Sequence, residues 1–401
     1  MCIIAGLCVF LFLMKNQRIS FSIARSFCFA LLVAALVVSC TKDPNYPTYS
    51  GQSRCQNGVQ DPDEFGVDCG GSCLNTCNNT RYLEGEIFRR MSLDIRYEYI
   101  VTGPLVIRDG GSLELPAGTQ LRVRAGVGAY IAVTQGGNLF AWGTPTQPVR
   151  ISSIAPNPQA GDWGGIIICG LAPLEDQSTK RSPLGDYFYG GNRSNDTSGY
   201  LRYLKIEHAG APQEDGTVFN GISFYGVGAY TQVDHVWVDG ATQHGIGIDG
   251  GNLTLEHVLV SNSGGNGIDL LSNWQGQAEN LHLANNALSG LRISDVEDVS
   301  TYTSSFTLNT LAVIENGTSG IDLRLSQTQA QLTQLYIKGH PLGLRFNEAL
   351  EYDGLLNSVY FNENELLSNR PAFNAQHQNA AEPPFEIPNG FPTLVNGLIS
   401  L

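Results

Sequence analysis

One phrase returns six times along the second half of this chain. "NGISF" at 220, "HGIGI" at 244, "NGIDL" at 266, "SGLRI" at 289, "SGIDL" at 319 and "LGLRF" at 342 share a glycine followed by an apolar, a variable and an apolar residue. The glycines are Gly221, Gly245, Gly267, Gly290, Gly320 and Gly343, at steps of 24, 22, 23, 30 and 23. The step of 30 is one ordinary period plus seven residues, which we place in the Ser/Thr-rich "DVSTYTSSF". A recurrence of this length marks a solenoid, in which each unit buries its apolar face only against its neighbours.

Period 2 within each phrase makes the unit β-structured. A second strand precedes each glycine, with Val236/Val238, Val258/Val260, Leu281/Leu283 and Leu311/Val313 facing inward. Turn-formers such as "SNSGGN" and "ANNALS" separate the strands. A leucine-rich repeat would need a helix or 3₁₀ segment and a fixed Asn, and both are missing. The expected fold is all-β: a single-stranded right-handed parallel β-helix over residues 82–375, about twelve turns at this period. The stretches "GPLVIRDGGSLELPAGTQLRV" and "AYIAVTQGGNLFAWGTPTQPVRISS" alternate in the same way and start the coil. Residues 376–401, with "PPFEIPNGFP" just inside them, form a cap or tail.

Composition agrees. Charged residues are only 15% of the 401 and glycines number 46, which suits short strands and tight turns. The net charge of −14 excludes nucleic-acid binding through a basic face.

The N-terminus reads as an address. A basic stretch, Lys15 to Arg25, precedes the apolar "SFCFALLVAALVVSC" of residues 26–40, which has the length of a signal h-region. A second apolar run before Met14 is explained if Met14 is the true start. The ending Val37-Val38-Ser39-Cys40 resembles the bacterial lipobox. That resemblance implies cleavage after residue 39, lipid attachment at Cys40, and a membrane partner reached through acyl chains. An ordinary signal peptide or N-terminal anchor is the alternative. Residues 40–54 form a polar tether. Lys42-Asp43 weakly resembles signals that send lipoproteins outward, which implies a surface-exposed protein of the bacterial outer membrane.

A small module follows at 55–78, where Cys55, Cys69, Cys73 and Cys77 fall within 23 residues. An exported context favours two disulfides over zinc. Asp61, Asp63, Glu64 and Asp68 there are of the type that ligates Ca²⁺, the one cofactor the chain would suit, although a solvated acidic turn needs no ion. The pattern "VDCGG" resembles a Cys-rich motif near the N-termini of bacterial surface proteins. Cys169, alone in "IIICG", reads as a packing residue.

The phrases "AGDWGGIIICGLAP", "YGGNRSNDTSGYLRYLKIEHAG" and "NGISFYGVGAYTQVDHVWV" resemble a family of β-helical bacterial surface lipoproteins of the pectate-lyase-like type. The resemblance spans about residues 100–285 and implies the fold and a surface location, with no single activity. Members of that family often carry paired acids where this chain has Gln243-His244 and Gly265-Asn266.

Stacking the turns assigns faces. At the outward position of the phrase stand Asp269, Arg292, Asp322 and Arg345, whose alternating sign predicts an ion ladder between turns. The glycine beside them is expected to serve the turn into the strand. A second outward stripe carries Asp234, Glu256 and Glu279, then His235 and His257, then Trp237 and His282. It has two readings: an ordinary polar strand surface, or a glycan face with Trp237 as sugar platform and the acids for protons or metal. No catalytic or metal residue is assigned, because nucleophile elbow, Walker loop and His-Glu-x-x-His are all missing. The expected function is a non-enzymatic binding, adhesin or scaffold protein for a glycan or surface-protein ligand. The alternative is a polysaccharide lyase or glycoside hydrolase.

Overall fold

The computed structural model describes residues 79–379 apart from 127, 175–177, 272–273, 295–306, 315–316, 326–330 and 348–353. It also describes parts of 54–74 and two short strands between 394 and 399. The leader, Cys40, Asp63, Glu64, Cys77 and the seven-residue insertion lie outside these. The chain divides into two compact units, Met1–Cys77 and Asn78–Leu401.

In the first unit Cys55 is bonded to Cys73, and Cys69 is also in a disulfide. Asp68 accepts hydrogen bonds from the backbone N–H groups of Asn57 (2.6 Å) and Gly58 (2.8 Å), and Asn57 Nδ2 donates to Asp61 (3.0 Å). These carboxylates are at work holding the loop.

The second unit is a parallel β-helix. Its strands stack into three parallel sheets. Sheet A contains the recurrent phrases, as Ile222–Val227, Ile246–Gly251, Ile268–Leu271, Ser289–Ser294, Ser319–Arg324 and Leu342–Phe346, preceded by Tyr130–Val133 and Ile166–Cys169. Sheet B starts with Arg90–Ser92, Ser112–Pro116 and Asn138–Trp142; sheet C starts with the first halves of Thr80–Ile87 and Glu98–Ile107, followed by Gln120–Val123 and Val149–Ser153. From residue 199 on, one strand serves both B and C. Gly199–Glu207, Gln232–Asp239, Thr254–Ser261, Gln277–Ala284, Thr307–Ile314 and Gln331–Lys338 each run through B, bend, and continue in C.

The bend has a specific cause. Tyr203, His235, His257, Asn280, Gln334 and Ser358 all adopt left-handed backbone, with φ between 47° and 58°. The ladder skips them: Arg202 pairs with Asp234 and Leu204 with Val236. One left-handed residue turns the strand and resets its alternation. Asp234 therefore faces out although it lies two residues before inward Val236. Such φ values disfavour most L-residues, and His and Asn tolerate them better than most. A second left-handed column, with His208, Gly240, Asn262, Asn285 and Gly339, ends five of the later strands of sheet C.

Inside, Leu, Ile and Val from all three sheets form one continuous core. The residues before the first four phrase glycines make a polar ladder from turn to turn. Asn220 Oδ1 accepts the His244 N–H (3.3 Å), His244 Nδ1 that of Asn266 (2.9 Å), and Asn266 Oδ1 that of Ser289 (3.1 Å). These side chains are buried or nearly so, and the ladder satisfies backbone donors that would otherwise be desolvated.

The phrase glycines do not serve a left-handed turn. A Cβ on Gly245 would meet Val260 Cγ1 at 2.1 Å, and one on Gly290 would meet Val313 Cγ1 at 2.1 Å. Gly221 meets Val238 at 2.3 Å in the same sense. Glycine is there because the inward side chain of the next turn occupies the space of a Cβ.

The described residues of 170–174 and 178–198 leave the coil and cover part of the outer face of sheet A. Leu174, Leu184 and Tyr189 pack there on Val106, Ile167, Cys169 and Tyr225. Cys169 is buried, and desolvation pushes its thiol up to about 12, so it is a packing residue. Beyond the last turn a short helix, Pro371–Asn374, lays Phe373 against Phe346 and Phe361 (ring centroids 5.5 and 6.0 Å).

Candidate functional site

The outer face of sheet B, beside its bend, gathers the polar and aromatic groups of the molecule. Register neighbours along it are Trp142, Arg202, Asp234, Glu256, Glu279 and Asn309 in one row. Phe140, Tyr200, Gln232, Thr254 and Gln277 form the row beside it. A cleft of about 380 Å³ opens there, lined among others by Trp142, Tyr200, Arg202, Gln232, Asp234 and Glu256.

One end of the cleft is aromatic. Trp142 is 46% exposed and stacks on Phe140 (5.7 Å, planes 3° apart), and Tyr200 leans on both at 5.4 and 5.7 Å. The other end is acidic, with Glu256 exposed to solvent and Glu279, also exposed, next to it in the row. Asp234 is the hub between them. Its Oδ1 accepts from His235 Nδ1 (2.6 Å) and His257 Nδ1 (3.0 Å), while Arg202 Nε lies 3.4 Å from Oδ2. At the bend itself the rings form a column: Tyr203 on His235 at 4.3 Å, His235 on His257 at 4.4 Å. Asn280 continues it, with Nδ2 3.2 Å from His257 Nε2.

Two residues assigned to this face from sequence belong elsewhere. Trp237 is 7% exposed, its indole N–H donates to Ser261 Oγ (3.0 Å), and Lys205 Nζ sits 3.4 Å above its ring. It offers no platform to a sugar. His282 follows it in sheet C and is also 7% exposed, and burial alone lowers its imidazole to about 4. The bend separates both from Asp234, Glu256 and Glu279, because sheets B and C face different directions.

Along the row read from sequence as an ion ladder, the two Asp residues take different partners. Asp269 and Arg292 are register partners with two hydrogen bonds, from Nε (2.5 Å) and Nη2 (2.7 Å). Asp269 is only 6% exposed, and His244 Nε2 lies 3.4 Å from its other side, so this is a buried anchor and not a surface pair. Asp322 pairs in register with Arg345, but its carboxylate turns to Arg324 in its own strand (2.9 Å). Two residues along one strand point to the same face, and this nearer partner wins.

Phe140, Trp142, Tyr200 and Arg202 were not singled out in the sequence. "NLFAW" carries the signal, since inward Leu139 and Ala141 leave Phe140 and Trp142 outward. The 60-residue step from Trp142 to Arg202 hides their pairing.

No curated protein matches the sequence. Among solved structures, the chain is similar to a mutant of the periplasmic alginate epimerase AlgG (14% identity, TM-score 0.36, 66% of this chain against 63% of that one). It is also similar to the mannuronan C-5 epimerase A-module of Azotobacter vinelandii (11%, 0.36, 73% against 88%) and to pectate lyase Pel9A (10%, 0.29, 64% against 70%). The chain thus spans under two thirds of the first of these. A family model described as a pectate-lyase-like β-helix domain matches residues 85–383. With most of its length so matched, the chain belongs to the family of pectate-lyase-like β-helix domains.

Proposed function

We propose that the protein binds glycan chains along the outer face of sheet B, without turning them over. The observation that carries this is the exposed aromatic end of the cleft: Trp142 and Tyr200 beside the polar row Gln232, Asp234, Thr254 and Glu256. Aromatic faces receive the apolar faces of sugar rings, and the polar groups engage hydroxyls. The ligand class follows from charge. Three carboxylates in one row, on a chain of net charge −14, repel polyuronates and favour neutral chains.

A second reading, hydrolysis, has one observation in its favour. Asp234 and Glu256 stand on adjacent strands facing the same cleft, as a pair of catalytic carboxylates must. Asp234 is however already engaged by two imidazoles and a guanidinium, which fits a structural hub better than a free base or nucleophile.

A glycan array followed by calorimetry tests the binding reading. Trp142→Ala should weaken the best neutral ligand by about tenfold or more, the scale of one lost aromatic contact. Trp237→Ala should leave affinity within about twofold while lowering stability. Equal affinity of wild type and Trp142→Ala would remove the site, and release of reducing ends from a bound glycan would favour hydrolysis instead. The lipobox-like Val37–Cys40 further supports placing this binding face at a bacterial envelope, on a lipid anchor at Cys40.

A further inference from the structure

The bend between sheets B and C brings three ligating side chains to one point. Asp234 and the two histidines of successive turns each present one ligand atom, and these atoms lie within 4.8 Å of one another. Because a carboxylate oxygen only accepts, each ring must donate from Nδ1 to Asp234 Oδ1. We propose that Asp234, His235 and His257 form a binding site for a divalent transition-metal ion, with Zn²⁺ the natural occupant.

The geometry is close to what such an ion requires. Metal–ligand bonds of about 2.0–2.1 Å in a tetrahedron put neighbouring ligand atoms about 3.3 Å apart. The present Oδ1···Nδ1 separations of 2.6 and 3.0 Å would have to open by about 0.7 and 0.3 Å, within the reach of side-chain rotation. Both Nδ1 atoms already meet the same Oδ1, and the stacked rings, 20° from parallel, have to rotate about their Cβ–Cγ bonds for their in-plane lone pairs to converge on one ion. The left-handed bends at His235 and His257 fix where those rings start. Arg202 engages Oδ2 and leaves Oδ1 for the ion.

The proton balance closes without a base. Both imidazoles stay neutral and move their proton from Nδ1 to Nε2, freeing the Nδ1 lone pairs. For His257 the Asn280 amide, 3.2 Å away, accepts the relocated Nε2–H once it turns its oxygen inward. Nitrogen donors select Zn²⁺, Ni²⁺ or Cu²⁺ over Ca²⁺ and Mg²⁺, which take oxygen. The site therefore differs in kind from a carboxylate-only Ca²⁺ site. It rests on the bend alone and not on the glycan reading.

The test uses the full chain, free of any polyhistidine tag, with metal alone as the probe. Calorimetry should show Zn²⁺ binding and no competing Ca²⁺ heat, and Co²⁺ should give the visible absorption of a tetrahedral or five-coordinate site. His235→Asn and His257→Asn should each weaken Zn²⁺ about ten- to a hundredfold. Asn is tolerated there because Asn280 holds the same place one turn on, so these variants should melt like wild type. If either loses stability, Asp234→Asn, which keeps both rings, supplies the same readout. His208→Asn, at the other left-handed column, should change nothing, and Trp142→Ala should lose glycan but keep Zn²⁺. Wild type without Zn²⁺ binding, or the histidine variants with undiminished affinity, would overturn the proposal.

Discussion

At the scale of the residue, burial sets what each titratable group does. His282 has an ordinary imidazole in the unfolded chain, near 6.5, and one lowered to about 4 in the fold, because burial disfavours the charged ring. Between these values the unfolded chain binds a proton that the folded chain refuses. Stability is therefore complete above pH 6.5 and declines as the pH falls toward 4, by about 3 kcal/mol over the whole window. Urea midpoints taken across that window should slope accordingly, and His282→Gln should flatten the slope. His244, also lowered by burial but partly offset by the Asp269 carboxylate, leaves a smaller slope of the same sign. Glu207 is buried too, yet Lys205 (2.8 Å) and Arg150 (2.7 Å) outweigh desolvation and hold it below the usual carboxylate range. Its contribution is lost only in more acid solution, so the two effects separate along the pH axis.

At the scale of the element, sheet A lies as close to the inward side chains of sheet C as it can. Gly245→Ala would drive a methyl into Val260 Cγ1 and to 2.8 Å from the carbonyl of Gly267. Neither neighbour can leave a filled core, so the substitution should cost about 1–3 kcal/mol, read as a lower denaturant midpoint with unchanged slope. An unchanged midpoint would mean that the turns can slide apart. The same elements show what was legible beforehand. The phrase period and the inward pairs Val236/Val238 and Val258/Val260 revealed the coil and its register, because period-2 alternation maps directly onto a pleated sheet. The bend at His235 and His257 was not legible as a bend. A single left-handed residue breaks the alternation without changing composition, so Trp237 and Asp234 looked like members of one stripe. The partner chosen by Asp322 was equally hidden, since register places backbones and rotamers choose among neighbours. The aromatic end of the cleft emerges only when residues 142 and 202, sixty apart in sequence, are seen on adjacent strands.

At the scale of the whole molecule, the β-helical unit holds a continuous core under three sheets, with its last turn covered by Phe373. Among the described residues no helix is long and apolar enough to cross a membrane. The reading of Val37–Cys40 as a lipobox makes a separate prediction. In a bacterial host the wild type should partition with membranes and carry acyl chains, and Cys40→Ala should appear in the soluble fraction; membrane retention of that variant would contradict the anchor.

The parallel stacking of sheet B has one more consequence. Successive outward side chains, from Trp142 through Arg202 and Asp234 to Glu256, stand one strand spacing apart, about 4.8 Å. That spacing is set by backbone hydrogen bonds and no side-chain substitution can alter it. The face is thus a ruler with fixed graduations. A polymer laid along it must either share that pitch or, like the sliding scale of a vernier, coincide with it only at intervals, and chain length alone would then decide how many marks it meets.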